Sequence, residues 1–222
     1  MQHPVSTPAL FAKKCKYACL TLIALSFVFL AAGCAGSAKP AYNIERYLLS
    51  WPSPPGDEAR RLPVCIKFNR FSIAAAYNST DMIFRDDDYG FDSFNYSRWA
   101  VNPADMIADG IAADMRSVGK YQAVFSRQET AGGRFVISGG IEEFYLRTDK
   151  SGKTALISMS VSVEDSVEKG TARILFQKKY LQEERLQETS PRGYARAASR
   201  ATQKIAHEVV NDVFKAIETR LQ

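Results

Sequence analysis

From Ile157 to Val163 every second residue is apolar (Ile157, Met159, Val161, Val163), and the residues between them are Ser158, Ser160 and Ser162. Successive side chains of a strand point to opposite faces, so this stretch buries one side of a sheet and leaves the other polar. From Ile205 the rhythm changes. Ile205, Val209, Val213, Ile217 and Leu221 recur every four residues, the spacing of one helix face. A sheet with one apolar face and a helix with one apolar stripe must cover each other. The chain is therefore expected to form an α+β body, a single domain whose mainly antiparallel sheet is packed by two helices, the C-terminal one long.

The remaining elements follow from local signals. Val64, Ile66 and Phe68 alternate with Cys65, Lys67 and Asn69 and predict a strand, with the folded part starting near Leu62. Met82–Arg85 and Phe94–Tyr96 read as two strands of a hairpin that turns through Asp86-Asp87-Asp88-Tyr89-Gly90. Asn102 is placed to cap a helix, Pro103 suits its first position, and Asp105 favours its positive end. Ile107, Ile111 and Met115 share one face of that helix, and Gly119 ends it. Tyr121–Phe125 is a short strand. A meander then runs through Arg134–Arg147, a turn at Asp149–Gly152, the serine-lined strand, a turn at Glu168–Gly170, and a return over Ala172–Glu183. The apolar parity switches after Gly139-Gly140, which predicts a bulge there. Ser190 caps the last helix and Pro191 opens it.

The N-terminal end carries a different message. Lys13, Lys14 and Lys16 precede an apolar run from Tyr17 to Ala32, and Ala31-Ala32-Gly33-Cys34 closes it. Roughly 20 apolar residues are needed to span a hydrocarbon core, and this run is shorter. A basic flank, an apolar segment and small residues at a cut site make an export signal. The cysteine directly after them makes it a lipoprotein signal resembling the bacterial lipobox, with Ala31 where leucine is usual. Residues 1–33 are expected to be removed, with Cys34 lipidated by acyl chains. Residues 34–61, rich in Ala, Ser, Pro and Gly, form a lipidated tether and extended segment, and 62–222 the body. Within 34–61, Tyr42, Tyr47, Leu48, Leu49 and Trp51 are too apolar for a pure spacer, so part of it is expected to lie against the body. Ala35 stands where an aspartate would favour the inner membrane. By that sorting rule the protein is expected at the outer membrane of a Gram-negative cell, facing the periplasm.

Subtracting the three leader lysines from the net charge of +5 leaves the mature part at +2. Such a weak balance, without a dense basic stretch, does not argue for nucleic acid. Of four cysteines, Cys15 and Cys19 leave with the signal and Cys34 takes lipid. Only Cys65 keeps a thiol, so no intramolecular disulfide can form and stability must come from the core. Catalytic signals are sparse. His207 stands alone, and neither a zinc spacing nor a serine-nucleophile elbow is present. Asp86, Asp87 and Asp88 follow one another without the alternating ligands of a calcium loop and read as a solvated turn. No metal and no cofactor is expected. The aromatic residues beyond them (Tyr89, Phe91, Phe94, Tyr96, Trp99) can be core or a protein-contact patch, and Trp99 suits a core anchor.

Tyr96-Ser97-Arg98-Trp99-Ala100-Val101-Asn102-Pro103, with Ile83-Phe84-Arg85 ahead and the helix behind, resembles the ABC-type transport auxiliary lipoproteins, the PqiC-like family. Tyr47-Leu48-Leu49 and Pro52 match the early segment of that family. The resemblance implies a non-catalytic role. Such a lipoprotein accompanies an inner-membrane ABC transporter and a periplasm-spanning MCE-domain protein that move lipids or other apolar molecules, and it docks the MCE assembly at the outer membrane. Tyr96, Trp99, Phe91 and Phe94 are then candidate partner contacts, and a homo-oligomer is compatible with the same reading. A pilotin-like lipoprotein that assists assembly of an outer-membrane pore is the alternative, and a periplasmic hydrolase using His207 a third.

Overall fold

The computed structural model describes residues 42–56, 61–150 and 152–222; the signal segment and Cys34 lie outside the described residues. In chain order the elements are β1 (Glu45–Tyr47), β2 (Leu62–Phe68), β3 (Ser72–Ile73), β4 (Asp81–Arg85), β5 (Asp92–Trp99), α1 (Pro103–Ser117), β6 (Tyr121–Phe125), β7 (Phe135–Asp149), β8 (Gly152–Asp165), β9 (Ile174–Arg185) and α2 (Pro191–Leu221). Both helices start as expected. The Asn102 side chain accepts the Ala104 N–H, the Ser190 side chain accepts the Gly193 N–H, and proline follows each cap. Gly119, at φ 69°, takes the left-handed conformation just past α1.

β7 is the spine of the sheet. β8 runs antiparallel along its whole length, and β9 runs antiparallel to β8, which is the expected meander. The other edge of β7 holds three short parallel partners in succession: β2 at Phe135–Ile137, β3 at Gly140 and Ile141, and β4 at Leu146 and Arg147. β2 carries β6 in parallel; β4 carries β5 antiparallel, and β5 carries β1 in parallel. The sheet is thus mixed. Its long pairings are antiparallel and its short ones largely parallel.

The predicted bulge sits slightly further on. Register shifts between Ile141 and Glu143, so Glu142 is the extra residue, and Gly139 has another purpose. A Cβ on Gly139 would enter the ring of Phe71, which lies on the bridge from β2 to β3. The glycine lets that bridge lie close to the spine.

The core forms where the two periodicities meet. Ile107, Ile111 and Met115 of α1 and Ile205, Val209, Val213 and Ile217 of α2 are buried together with Ile157, Met159, Val161 and Val163 of β8. Fully burying one such side chain contributes about 1.5–3 kcal/mol. The opposite face of β8 is polar, and the hydroxyls of Ser158 and Ser160 donate to Glu142.

The segment before β2 is part of this body. One folded unit covers Asn43–Gln222, against an expected body of 62–222. β1 adds to the sheet beside β5, and the chain then crosses both helices as a strap. The Ser50 N–H donates to Ser199 Oγ at 3.0 Å, and the Trp51 indole N–H donates to Asp114 Oδ2 at 2.9 Å. Ser117 Oγ donates to the Pro54 carbonyl at 2.7 Å.

Candidate functional site

The β4–β5 hairpin carries most of the residues singled out from the sequence. Strand alternation divides them. Ser97 and Trp99 point inward and Tyr96 outward, while the register shift between Ser93 and Arg98 leaves Phe94 packed against the core. Trp99 is wholly buried (0% exposed) and packs edge-on against Phe144 and Tyr194, at 5.4 and 5.3 Å between ring centres. It therefore offers no surface to a partner, and its role is that of a core anchor. Phe94 is half-buried and leans on Phe84 at 5.3 Å. Tyr96 is 46% exposed, Phe91 60% and Tyr89 99%. The structure thus brings three exposed aromatic residues to the tip and outer face of one hairpin.

The base beneath them is fixed. Arg98 pairs with Asp81 across the two strands at 2.9 Å, and the Arg85 guanidinium lies 4.9 Å above the Tyr145 ring. The turn is held by Asp87, whose Oδ1 accepts the N–H groups of Tyr89 (2.8 Å) and Gly90 (2.6 Å). Those two bonds, Gly90 first, hold its carboxyl below the ordinary carboxylate range. With Asp86, Asp88 and Asp92 alongside, the tip is acidic as well as aromatic. Such a surface suits contact with another protein: the aromatics supply area and the carboxylates supply selectivity.

The other candidates stand apart. His207 is exposed on α2, and Cys65 is half-buried in β2. Among the described residues no group of three or more His, Cys, Asp or Glu side chains is placed to hold a metal. No helix of the described residues is long and apolar enough to cross a membrane. Sequence reasoning expected the segment that holds Trp51 to lie against the body but did not place Trp51 on α1. The available signal was Gly110, a helix-interior glycine with no role in capping.

This architecture has solved counterparts. A protein from Xanthomonas campestris, XCC0632 of the DUF330 family, superposes with a TM-score of 0.71 at 15% identity, covering 80% of this chain and 98% of its own. A second crystal structure, of an uncharacterized protein, gives a TM-score of 0.60 at 11% identity, covering 77% of this chain and 99% of its own. At such identities the likeness speaks for the fold. No curated protein matches the chain in sequence. The family model of the ABC-type transport auxiliary lipoprotein component matches residues 47–210. The chain belongs to that family, and the match begins at Tyr47, the last residue of β1, rather than at β2.

Proposed function

We propose that the chain, acylated at Cys34, works without catalysis as the contact component that docks an MCE-domain protein of an ABC transport system. It does so at the outer membrane, facing the periplasm, while lipids or other apolar compounds move through the system. Family membership supports the transport setting. The observation that carries the docking role is the hairpin: Tyr89, Phe91 and Tyr96 are exposed above a base pinned by Arg98–Asp81 and Arg85–Tyr145. Aromatic side chains left in water on a rigid support lose little entropy when a partner covers them. Tethering by lipid raises the local concentration of that face near its partner.

The test is co-purification from membranes extracted under mild conditions with the MCE protein present. The lipidated chain is expected to retain the MCE protein, and a Phe91→Asp, Tyr96→Asp double variant to lose it while still folded. If the unaltered chain fails to capture the MCE protein, the proposal falls.

A further inference from the structure

A groove of about 530 Å³ opens between β1, the strap and α2, within the size range of small-molecule sites. Arg46 lines it from β1, and Arg192, Arg196 and Arg200, each four residues from the next, line it from one face of α2. Leu48 and Trp51 of the strap give it an apolar wall. Among the described residues no carboxylate lines it. Three carboxylates touch its lining groups from outside. Glu184 holds Arg200 at 3.3 Å, Glu188 reaches Arg196 at 3.5 Å, and Glu45 takes the Tyr47 hydroxyl, which Arg192 also approaches. Arg46 and Arg192 are exposed and make no ion pair among the described residues.

Guanidinium groups gathered around one groove repel one another unless an anion sits among them. Their planar forks match the two free oxygens of a phosphodiester. A cation would be repelled, and a zwitterionic headgroup would leave its ammonium without a carboxylate. Position in the chain narrows the anion to one source. β1 and the strap are the first described elements after Cys34, and Ile44 and Leu48 in that stretch are 47% and 56% exposed. Apolar side chains left in water next to arginines suit the headgroup layer of a bilayer. We infer that the groove seats the phosphate of an anionic phospholipid, held by Arg46 and Arg192, with the upper acyl carbons lying along Leu48. The membrane as source rests on acylation at Cys34 as proposed. Binding of a short-chain lipid needs neither acylation nor a transport partner, so its failure leaves the docking role standing.

The full chain in phosphatidylcholine nanodiscs, titrated calorimetrically with dihexanoyl phosphatidylglycerol, dihexanoyl phosphatidylcholine and inorganic phosphate against empty nanodiscs, tests this. The short phosphatidylglycerol is expected to bind about tenfold tighter than the short phosphatidylcholine, since each arginine near anionic headgroups contributes about fivefold. Inorganic phosphate is expected to bind more weakly than the phosphatidylglycerol. An Arg46→Gln, Arg192→Gln double variant, at exposed positions where folding is not at stake, is expected to erase the preference. A Lys150→Gln, Lys169→Gln double variant removes the same charge from exposed positions outside the groove and is expected to keep it. Equal affinity for the two lipids, an unchanged preference in the arginine variant, or an equal loss in the lysine variant overturns the inference. So does inorganic phosphate that binds as tightly as the phosphatidylglycerol, since a free anion would then be the ligand. An Asp-Glu-Asp peptide that binds tighter than the phosphatidylglycerol overturns it too, because the groove would then suit a partner's carboxylates.

Discussion

At Gly110 the side chain that matters belongs to Trp51. A Cβ there would overlap the six-membered ring of the indole. Gly110→Ala gains about 1 kcal/mol of helix propensity, but overpacking costs about 1–3 kcal/mol. The expected result is a lower urea midpoint and a red-shifted Trp51 emission as the ring is pushed off the helix. Gly193 is under harder constraint, because a Cβ there would meet the backbone carbonyl of Glu188, which has no rotamer to escape into. Gly193→Ala should destabilise more than Gly110→Ala. Equal effects in urea would show that the turn before α2 yields easily.

Asp165 belongs to the same scale. Its side chain is fully buried at the end of β8, and Arg134 clasps both its oxygens at 3.1 and 2.8 Å. That bidentate bond is the main reason its carboxyl is held below the ordinary carboxylate range. A depressed native pKa adds stability above the unfolded value of about 3.9, and the gain is lost as pH falls through the lower native value. The urea-midpoint gap between the native chain and Asp165→Asn should therefore be widest above about pH 4 and narrow below it. A gap that ignores pH would show that the pair contributes nothing.

Among elements, those with a long period were legible, as were the short strands β4 and β6, whereas β1 and β3 were not. α1, β8 and α2 repeat their pattern often enough to declare both type and buried face, and the caps at Asn102 and Ser190 mark where the helices start. β1 has three residues and β3 two, too few to show a period. Their parallel pairing is decided by distant partners on β5 and β7. The candidate site was half legible for a related reason. Aromatic residues in a hairpin look alike in sequence, and only the parity set by Trp99 in the core decides that Tyr96 faces outward. At this scale the strap is the element to test. Trp51→Ala removes a half-buried ring and deprives Asp114 of its donor, and about 2–3 kcal/mol should be lost. A loss under 0.5 kcal/mol would mean the strap rests on α1 without holding it.

For the whole molecule, the folded unit opens at Asn43, ahead of the body expected from Leu62. A chain starting at Leu62 lacks the β1 pairing with β5, the indole on Gly110 and the Ser50–Ser199 bond. It should melt well below one starting at Asn43; coincident melting curves would show the strap to be dispensable. The strap also sets a leash. Counting from Cys34 to Leu62, 28 residue steps could stretch to about 95 Å, whereas the nine steps from Cys34 to Asn43 reach no further than about 30 Å. With acylation at Cys34 as proposed, the head of β1 stays within one short stride of the lipid headgroups.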